Sequence, residues 1–571
     1  MKKLLCYLKN YIKETVLGPL FKLLEALFEL VVPLVVAKII DVGIKQNDSN
    51  VIVVYSIVLI CLGIVGLISA ITAQYFAAKA AIGFATKVRS AVFEKFQAFS
   101  YSTIDKLGKS KMVTTITNDI NQIQTGVNLT HRLLLRSPFI VFGSMVMAYI
   151  IDPSMSIIFI VMIPLLLISV FAIMKITIPR YRQIQENLDS MVLSVRENIN
   201  GVRVIRAFGS DDYEKNEFLS KNKKINKLQN ITGVISSVLN PLTFVIVNFC
   251  IIALVWFGAL KVDGGYLSQG QVIALYGYLS QILVELLKLA NLIVNVSRSF
   301  AAGDRVESVL EIKVEDVSGG KLPSSAENAV EFRDVSLKYE NSSDFSLEHL
   351  SFIVPKGSTV GIVGGTGSGK TSLVNLIPGF YKATEGEVLI NGKNINEISV
   401  TNLRERIGIV PQKSVLFKGT IRENMLWGKS DADDDEIYDA IKTAQASDVI
   451  DSRPDKLDAF VSQNGENFSG GQRQRLCIAR ALVKKPDILI LDDSSSALDY
   501  LTDRNLRMAL RDLDDNMTIF IVSQRTSAFS GADMIIVLDD GQISGIGTHD
   551  ELLETCPIYK EIYDSQFSER E

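Results

Sequence analysis

The chain has 571 residues, 48% of them hydrophobic, and its mean hydropathy of +0.25 is high for a soluble protein of that length. A formal net charge of −4 without a long basic run argues against a nucleic-acid partner, and 14 prolines with 2 tryptophans argue against a low-complexity or fibrous chain. The cysteines Cys6, Cys61, Cys250, Cys477 and Cys556 are scattered, without a CxxC pair or a histidine at ligand spacing, so neither a disulfide frame nor a zinc site is expected.

In chain order, Met1–Tyr11 reads as an amphipathic helix at a membrane interface. The N-terminus lacks the features of a cleavable signal. Six apolar segments follow, at roughly 15–40, 52–77, 133–151, 154–178, 234–260 and 267–297. Each is long enough to cross about 30 Å of hydrocarbon. The connections alternate in length. Those near 78–130 and 180–233 are long, basic and helical in their apolar spacing, which predicts helices that continue the spans into the cytosol. The positive-inside rule puts these loops and both termini in the cytosol. The loop tips, near Asp105–Lys111 and Gly209–Tyr213, should meet a cytosolic surface. Lys22, Glu25 and Glu29 fall inside the first span and Glu285 and Lys288 inside the sixth. Such charges are costly in a membrane, and two readings stand open, a functional group or an internal ion pair.

A polar stretch at 311–328 reads as a linker between a membrane domain (1–310) and an alternating strand–helix domain (329–571). The second domain carries GGTGSGKT, Gly364 to Thr371, between a predicted strand and a predicted helix. That is the setting of a phosphate-binding loop. Glycines let backbone N–H groups approach the phosphates, and the helix N-terminus adds positive potential. Gly364, Gly365, Thr366, Gly367, Ser368, Gly369, Lys370, Thr371 and Ser372 are therefore the candidate ATP-binding residues. Lys370 is expected at the β- and γ-phosphates and Thr371 at Mg²⁺. Asp492 ends the apolar run ILILD, as a second Mg²⁺ anchor would.

FSGGQRQRLCIARAL, Phe468 to Leu482, resembles the signature of ATP-binding cassette proteins. Together with the phosphate loop and LILDD, six spans followed by one cassette resemble an ABC exporter half-transporter, and more narrowly one subunit of the heterodimeric bacterial multidrug exporters. The fold implied is an all-α transmembrane domain, six helices with long cytosolic extensions, followed by an α/β P-loop cassette. The resemblance implies ATP and Mg²⁺ as cofactors, with Tyr339 stacked on adenine and Gln412 at Mg²⁺ and the attacking water. It implies that Ser469, Gly470, Gly471 and Gln472 clamp the γ-phosphate of an ATP held by a second chain. Asp499 would lie between the two sites, and the loop tips would dock on the cassettes. The implied setting is the bacterial plasma membrane. The implied partners are a second half-transporter, the bilayer and an amphipathic drug-like or lipid-like cargo.

Two positions depart from the family pattern. Asp493 stands where a glutamate is usual, and Gln524 where a switch histidine is usual. Both weaken hydrolysis on this chain's own phosphate-loop side while its signature stays complete apart from Phe468 in place of leucine. A degenerate site in an obligate heterodimer is expected. Competing readings are a non-catalytic regulatory or channel-type subunit and a homodimeric lipid flippase.

Overall fold

The computed structural model describes residues 2–315, 318–323, 326–340, 342–494, 496–513, 516–529 and 531–567, which form two compact units. The first, Met1–Lys95 with Ser110–Ile312, is entirely helical. After a 3₁₀ turn over Lys2–Tyr11 come α1 (Ile12–Lys38), α2 (Ser49–Gln97), α3 (Tyr101–Leu107), α4 (Lys109–Thr114), α5 (Ile120–Leu133), α6 (Arg136–Ile151), α7 (Ser156–Ala207), α8 (Asp211–Ser237), α9 (Leu239–Asp263) and α10 (Gln269–Glu311). Of these, α3 and the start of α4 belong to the second unit.

The long loops are helical, as the apolar spacing predicts. With 49 residues in α2 and 52 in α7, each helix runs for roughly 75 Å at 1.5 Å per residue, more than twice the hydrocarbon thickness. Among the described residues, five stretches are long and apolar enough to cross a membrane: Ser49–Gln97, Lys109–Ile151, Ser156–Ala207, Asp211–Asp263 and Gln269–Glu311. The sixth expected span, α1, has 27 residues, but Lys22, Glu25 and Glu29 interrupt its apolar run. It still belongs to the bundle, since Ala26, Leu30 and Ala37 share a core with Ile140 and Val141 of α6 and Leu275 and Leu279 of α10.

The structure answers the question of the charged spans. Arg136 of α6 forms ion pairs with Glu29 of α1 at 2.6 Å and with Glu285 of α10, while Glu25 lies 3.8 Å away. Ser137 donates to Glu285 (2.8 Å), Lys288 pairs with Glu285 (2.8 Å) and Lys22 with Glu25 (2.5 Å). All five charged residues singled out in the sequence thus belong to one network centred on an arginine that sequence reading passed over. Three cations meet three carboxylates, and the network ties α1, α6 and α10 together.

The second unit is Phe96–Lys109 with Lys313–Glu571. Its strands are β1 (Asn328–Leu337), β2 (Leu347–Pro355), β3 (Thr359–Gly364), β4 (Glu385–Ile390), β5 (Lys393–Asn394), β6 (Ile407–Val410), β7 (Gly419–Thr420), β8 (Phe460–Val461), β9 (Ile488–Asp492), β10 (Thr518–Val522), β11 (Met534–Asp539) and β12 (Gln542–Gly547). One sheet has the order β2-β1-β4-β5 and is antiparallel; a second has the order β12-β11-β3-β10-β9-β6 and is parallel from β11 to β6. Val360 and Ile362 of β3 pack into a core shared by both sheets, whereas a separate core gathers Ile437, Phe468, Leu476 and their neighbours.

The expected linker is partly fastened to this unit. Glu315 accepts both arms of Arg404 (3.0 and 2.8 Å), and its backbone N–H donates to the Ala98 carbonyl (2.9 Å). Gly320 bridges to Ile398. A bidentate guanidinium–carboxylate pair fixes geometry as well as charge, which is why this polar stretch is held in place.

Candidate nucleotide site

Parallel strands place their C-terminal ends on one edge of the sheet, where ligands of α/β folds bind. On that edge stand Gly364 at the end of β3, Asp492 at the end of β9 with Asp493 directly after it, Gln524 beyond β10 and Gln412 beyond β6. The four segments come from positions up to 160 residues apart, and the strand order brings them together.

The phosphate loop has the geometry its glycines predict. Gly367 and Gly369 have φ of +87° and +94°, a region side chains avoid. A Cβ on Gly369 would also lie 2.7 Å from Leu347 and 2.8 Å from the Ser346 carbonyl. At Gly365 and Gly367 a Cβ would meet nothing within 4 Å, so the space beside these two residues is open. Lys370 Nζ donates to the Gly364 and Gly365 carbonyls (2.9 and 2.6 Å). Burial lowers the Lys370 pKa, and the carboxylates of Asp493 and Asp492 oppose that shift.

Thr371 Oγ1 donates to Asp492 Oδ1 at 3.2 Å. Burial raises the Asp492 pKa, a shift that the Thr371 bond opposes and the Asp493 charge reinforces. Among the described residues no group of three or more His, Cys, Asp or Glu side chains could hold a metal. Mg²⁺ keeps several waters and takes one or two protein oxygens beside substrate phosphates, so a hydroxyl and a carboxylate in contact beside a phosphate cradle fit that ion. Tyr339 donates to Ser372 Oγ (2.9 Å), which fixes the ring beside the loop, and its edge-to-face neighbour is Tyr381 at 4.9 Å.

Asp493 has a left-handed backbone with φ of +48°. Its N–H donates to the Val522 carbonyl (2.9 Å), and its own carbonyl accepts from Gln474 Nε2 (3.3 Å) and Ser496 Oγ (2.9 Å). Aspartate enters that region more readily than glutamate. The aspartate at this position therefore has a backbone reason. Gln524 is exposed, and its backbone carbonyl accepts from Gln566 Nε2 (2.7 Å), while Gln566 Oε1 takes both the N–H and the hydroxyl of Thr526 (2.9 and 3.0 Å).

The signature residues lie apart from the loop, in the helical region with its own core. Ser469 caps the helix Gly470–Val483 in a reciprocal pair with Gln472 (3.3 and 3.0 Å). Helix N-termini of this kind are favourable places for an anion in general. Phe468 is buried beneath the Arg453 guanidinium, 4.0 Å from its ring. Asp499 caps the helix Tyr500–Arg511 by accepting from Thr502 N and Oγ1 (2.9 and 2.7 Å), and those bonds hold its carboxyl below the usual range. Two residues that contact Asp493 and Gln524 go unread in the sequence, Gln474 and Gln566. Gln474 is 2% exposed on an apolar helix face, and a lone buried glutamine was the signal available for it. Gln566 acts through a contact 42 residues from Gln524, and no local pattern announces it.

The first loop tip packs on the cassette, as expected. Tyr101 stacks on Phe380 (4.1 Å) under the Arg404 guanidinium, Asp105 accepts from the Tyr381 hydroxyl (2.5 Å), and Lys106 pairs with Glu340 (2.8 Å). Tyr101→Ala removes the central ring of this contact. Faster tryptic cleavage at Lys106 and Lys109 is expected, with ATP affinity unchanged, as read by limited proteolysis and nucleotide titration. At the second tip Phe208 and Tyr213 are 80% and 69% exposed.

Residues 15–286 match the ABC transporter transmembrane region, and residues 347–496 match the ABC transporter family. The chain is 34% identical over 99% of both sequences to the ABC transporter ATP-binding protein YfiB of Bacillus subtilis (strain 168). It is 31% identical to the ATP-dependent lipid A-core flippase of Hahella chejuensis (strain KCTC 2396), covering 87% of this chain and 85% of that one. Its fold matches a bacterial Atm1-family ABC exporter with ATP bound, at a TM-score of 0.81, 23% identity and coverage of 98% and 99%.

Proposed function

We propose that this chain, which belongs to the ABC transporter family and has the architecture of an exporter half-transporter, works as one half of a heterodimer. Its cassette binds ATP and lies on the cytosolic side of a multi-pass membrane domain. On our reading, Lys370, Thr371, Asp492 and Gln412 hold Mg-ATP on a phosphate-loop side that turns over slowly. Ser469, Gly470, Gly471 and Gln472 complete the faster site on a partner's cassette. The observation that carries this is the pairing of Asp493 with Gln524 at adjacent strand ends, beside a signature helix that is fully capped. A homodimer would hold two slow sites; a heterodimer holds one slow and one fast.

The exposed Phe208 and Tyr213 at the second tip suit a surface that a partner covers. The lipid A-core flippases among the relatives favour a lipid-like cargo, and the same comparison supports the second reading, a homodimeric flippase. An asymmetry experiment separates the two. In the complex, Lys370→Ala is expected to cost less than about tenfold in ATPase, and Gly470→Arg about a hundredfold or more, the scale of losing catalytic positioning. Equal losses, or rapid ATPase from the purified chain alone, would sink the heterodimer.

A further inference from the structure

A cavity of about 1010 Å³ lies in the cassette between the helix Tyr500–Arg511, the turn Thr526–Phe529 and the C-terminal helix Pro557–Phe567. Gln566 lines it, whereas the phosphate-loop residues, Asp492, Asp493, Gln524 and the signature residues do not. Four arginines do, Arg504, Arg507, Arg511 and Arg525, with Tyr500 and Tyr563 beside them. Arg507 is committed to Asp503 (3.0 Å) and to the Ser527 carbonyl, and Arg511 to the Gly531 carbonyl. Arg504 and the Arg525 side chain are exposed and make no hydrogen bond or ion pair among the described residues; Arg525 feels Asp503 only as a longer-range charge. Among the described residues no carboxylate lines the cavity, and the nearby Asp503 already has its partner. The space is at the upper end of small-ligand pockets, roughly 300–1,000 Å³.

We propose that this cavity binds a small polyphosphate, free or carried on a nucleotide, with Arg504 and Arg525 as its main ligands. Guanidinium forks match phosphate oxygens two at a time, and their charge is permanent. Arg504 stands on the helix that Asp499 caps. Arg525 directly follows Gln524, whose backbone Gln566 already holds from the third wall. A polyanion bridging the two arginines joins that helix to the switch segment and restrains Gln524. The binding site rests on the geometry alone; its effect on hydrolysis rests on the role proposed above for Gln524.

The test uses the full chain carrying Lys370→Ala, which silences the phosphate loop, titrated calorimetrically with inorganic tripolyphosphate and separately with AMP-PNP at fixed free Mg²⁺. One saturable equivalent is expected. Arg504→Glu with Arg525→Glu is expected to weaken it at least about tenfold, the scale of losing a charge-assisted contact. Both arginines are exposed, so the fold survives, and thermal unfolding of the variant checks that. Binding of tripolyphosphate identifies the phosphates as sufficient; binding of AMP-PNP alone identifies a nucleotide. Absence of saturable binding by either probe, or binding unmoved by the double variant, overturns the site. Tripolyphosphate is then added to the complex with its phosphate loop intact. If it binds there without changing ATPase, the site stands and the proposed role of Gln524 fails.

Discussion

Replacing Arg136 by alanine is expected to lower the unfolding temperature of the detergent-solubilised chain more than any other single substitution in the bundle. Arg136 is 6% exposed and Glu285 2% exposed, so water cannot take over their solvation. Without the guanidinium, Glu285 keeps only Lys288 and Ser137, Glu25 keeps Lys22, and Glu29 loses its cation. Breaking a buried pair from one side costs about 3–5 kcal/mol, because the charge left behind is uncompensated. The same principle sets the control. Arg136→Met combined with Glu29→Gln removes one cation with the carboxylate it would strand, leaves Lys22–Glu25 and Lys288–Glu285 paired, and should recover much of the loss. Fluorescence-detected size-exclusion chromatography after heating reads both. An Arg136→Ala chain as heat-stable as the parent would mean that the network carries no weight in the fold.

This network also marks the limit of what the sequence discloses. Lys22, Glu25 and Glu29 stood out because they interrupt an apolar run, and Glu285 and Lys288 for the same reason. Arg136 did not, because it sits near the start of its span, where a basic residue reads as an ordinary interface charge. Its place became visible only when three helices were packed together. The nucleotide site divides in the same way. The phosphate loop, Asp492 and the signature could be read because local chain geometry dictates them: glycines where φ is positive, a carboxylate ending an apolar strand, a serine starting a helix. The hold of Gln566 on the switch segment and of Gln474 on Asp493 depends on tertiary placement and leaves no period or spacing in the chain. On composition the stretch 311–328 reads as a linker, and within it Glu315 is pinned by Arg404, a pairing across 89 residues.

The backbone at Asp493 changes what its replacement should do. The residue lies at the end of β9, its N–H is fixed to Val522, and its φ of +48° is left-handed. Glutamate in that backbone loses roughly 1 kcal/mol, since aspartate is tolerated there and longer side chains are less so. In return its carboxylate reaches about 1.5 Å further, one carbon–carbon bond. Positioning on that scale is worth about a hundredfold in rate, and a well-placed general base about 10²–10⁴-fold. Gln524→His supplies a side chain that can carry charge, which the amide cannot. In the heterodimer proposed above, the two variants together are therefore expected to raise ATP turnover at this chain's own site by tenfold or more while slightly lowering thermal stability. Adding Lys370→Ala to the double variant assigns the gain, because it should abolish the increment and leave the partner's turnover near its starting level. ATP affinity measured in parallel should not move, since Lys370, Thr371 and Asp492 are untouched in the double variant. If turnover stays flat while affinity and fold are preserved, Asp493 is explained by its left-handed backbone alone, and the limit on hydrolysis lies in the signature that the partner presents to this site.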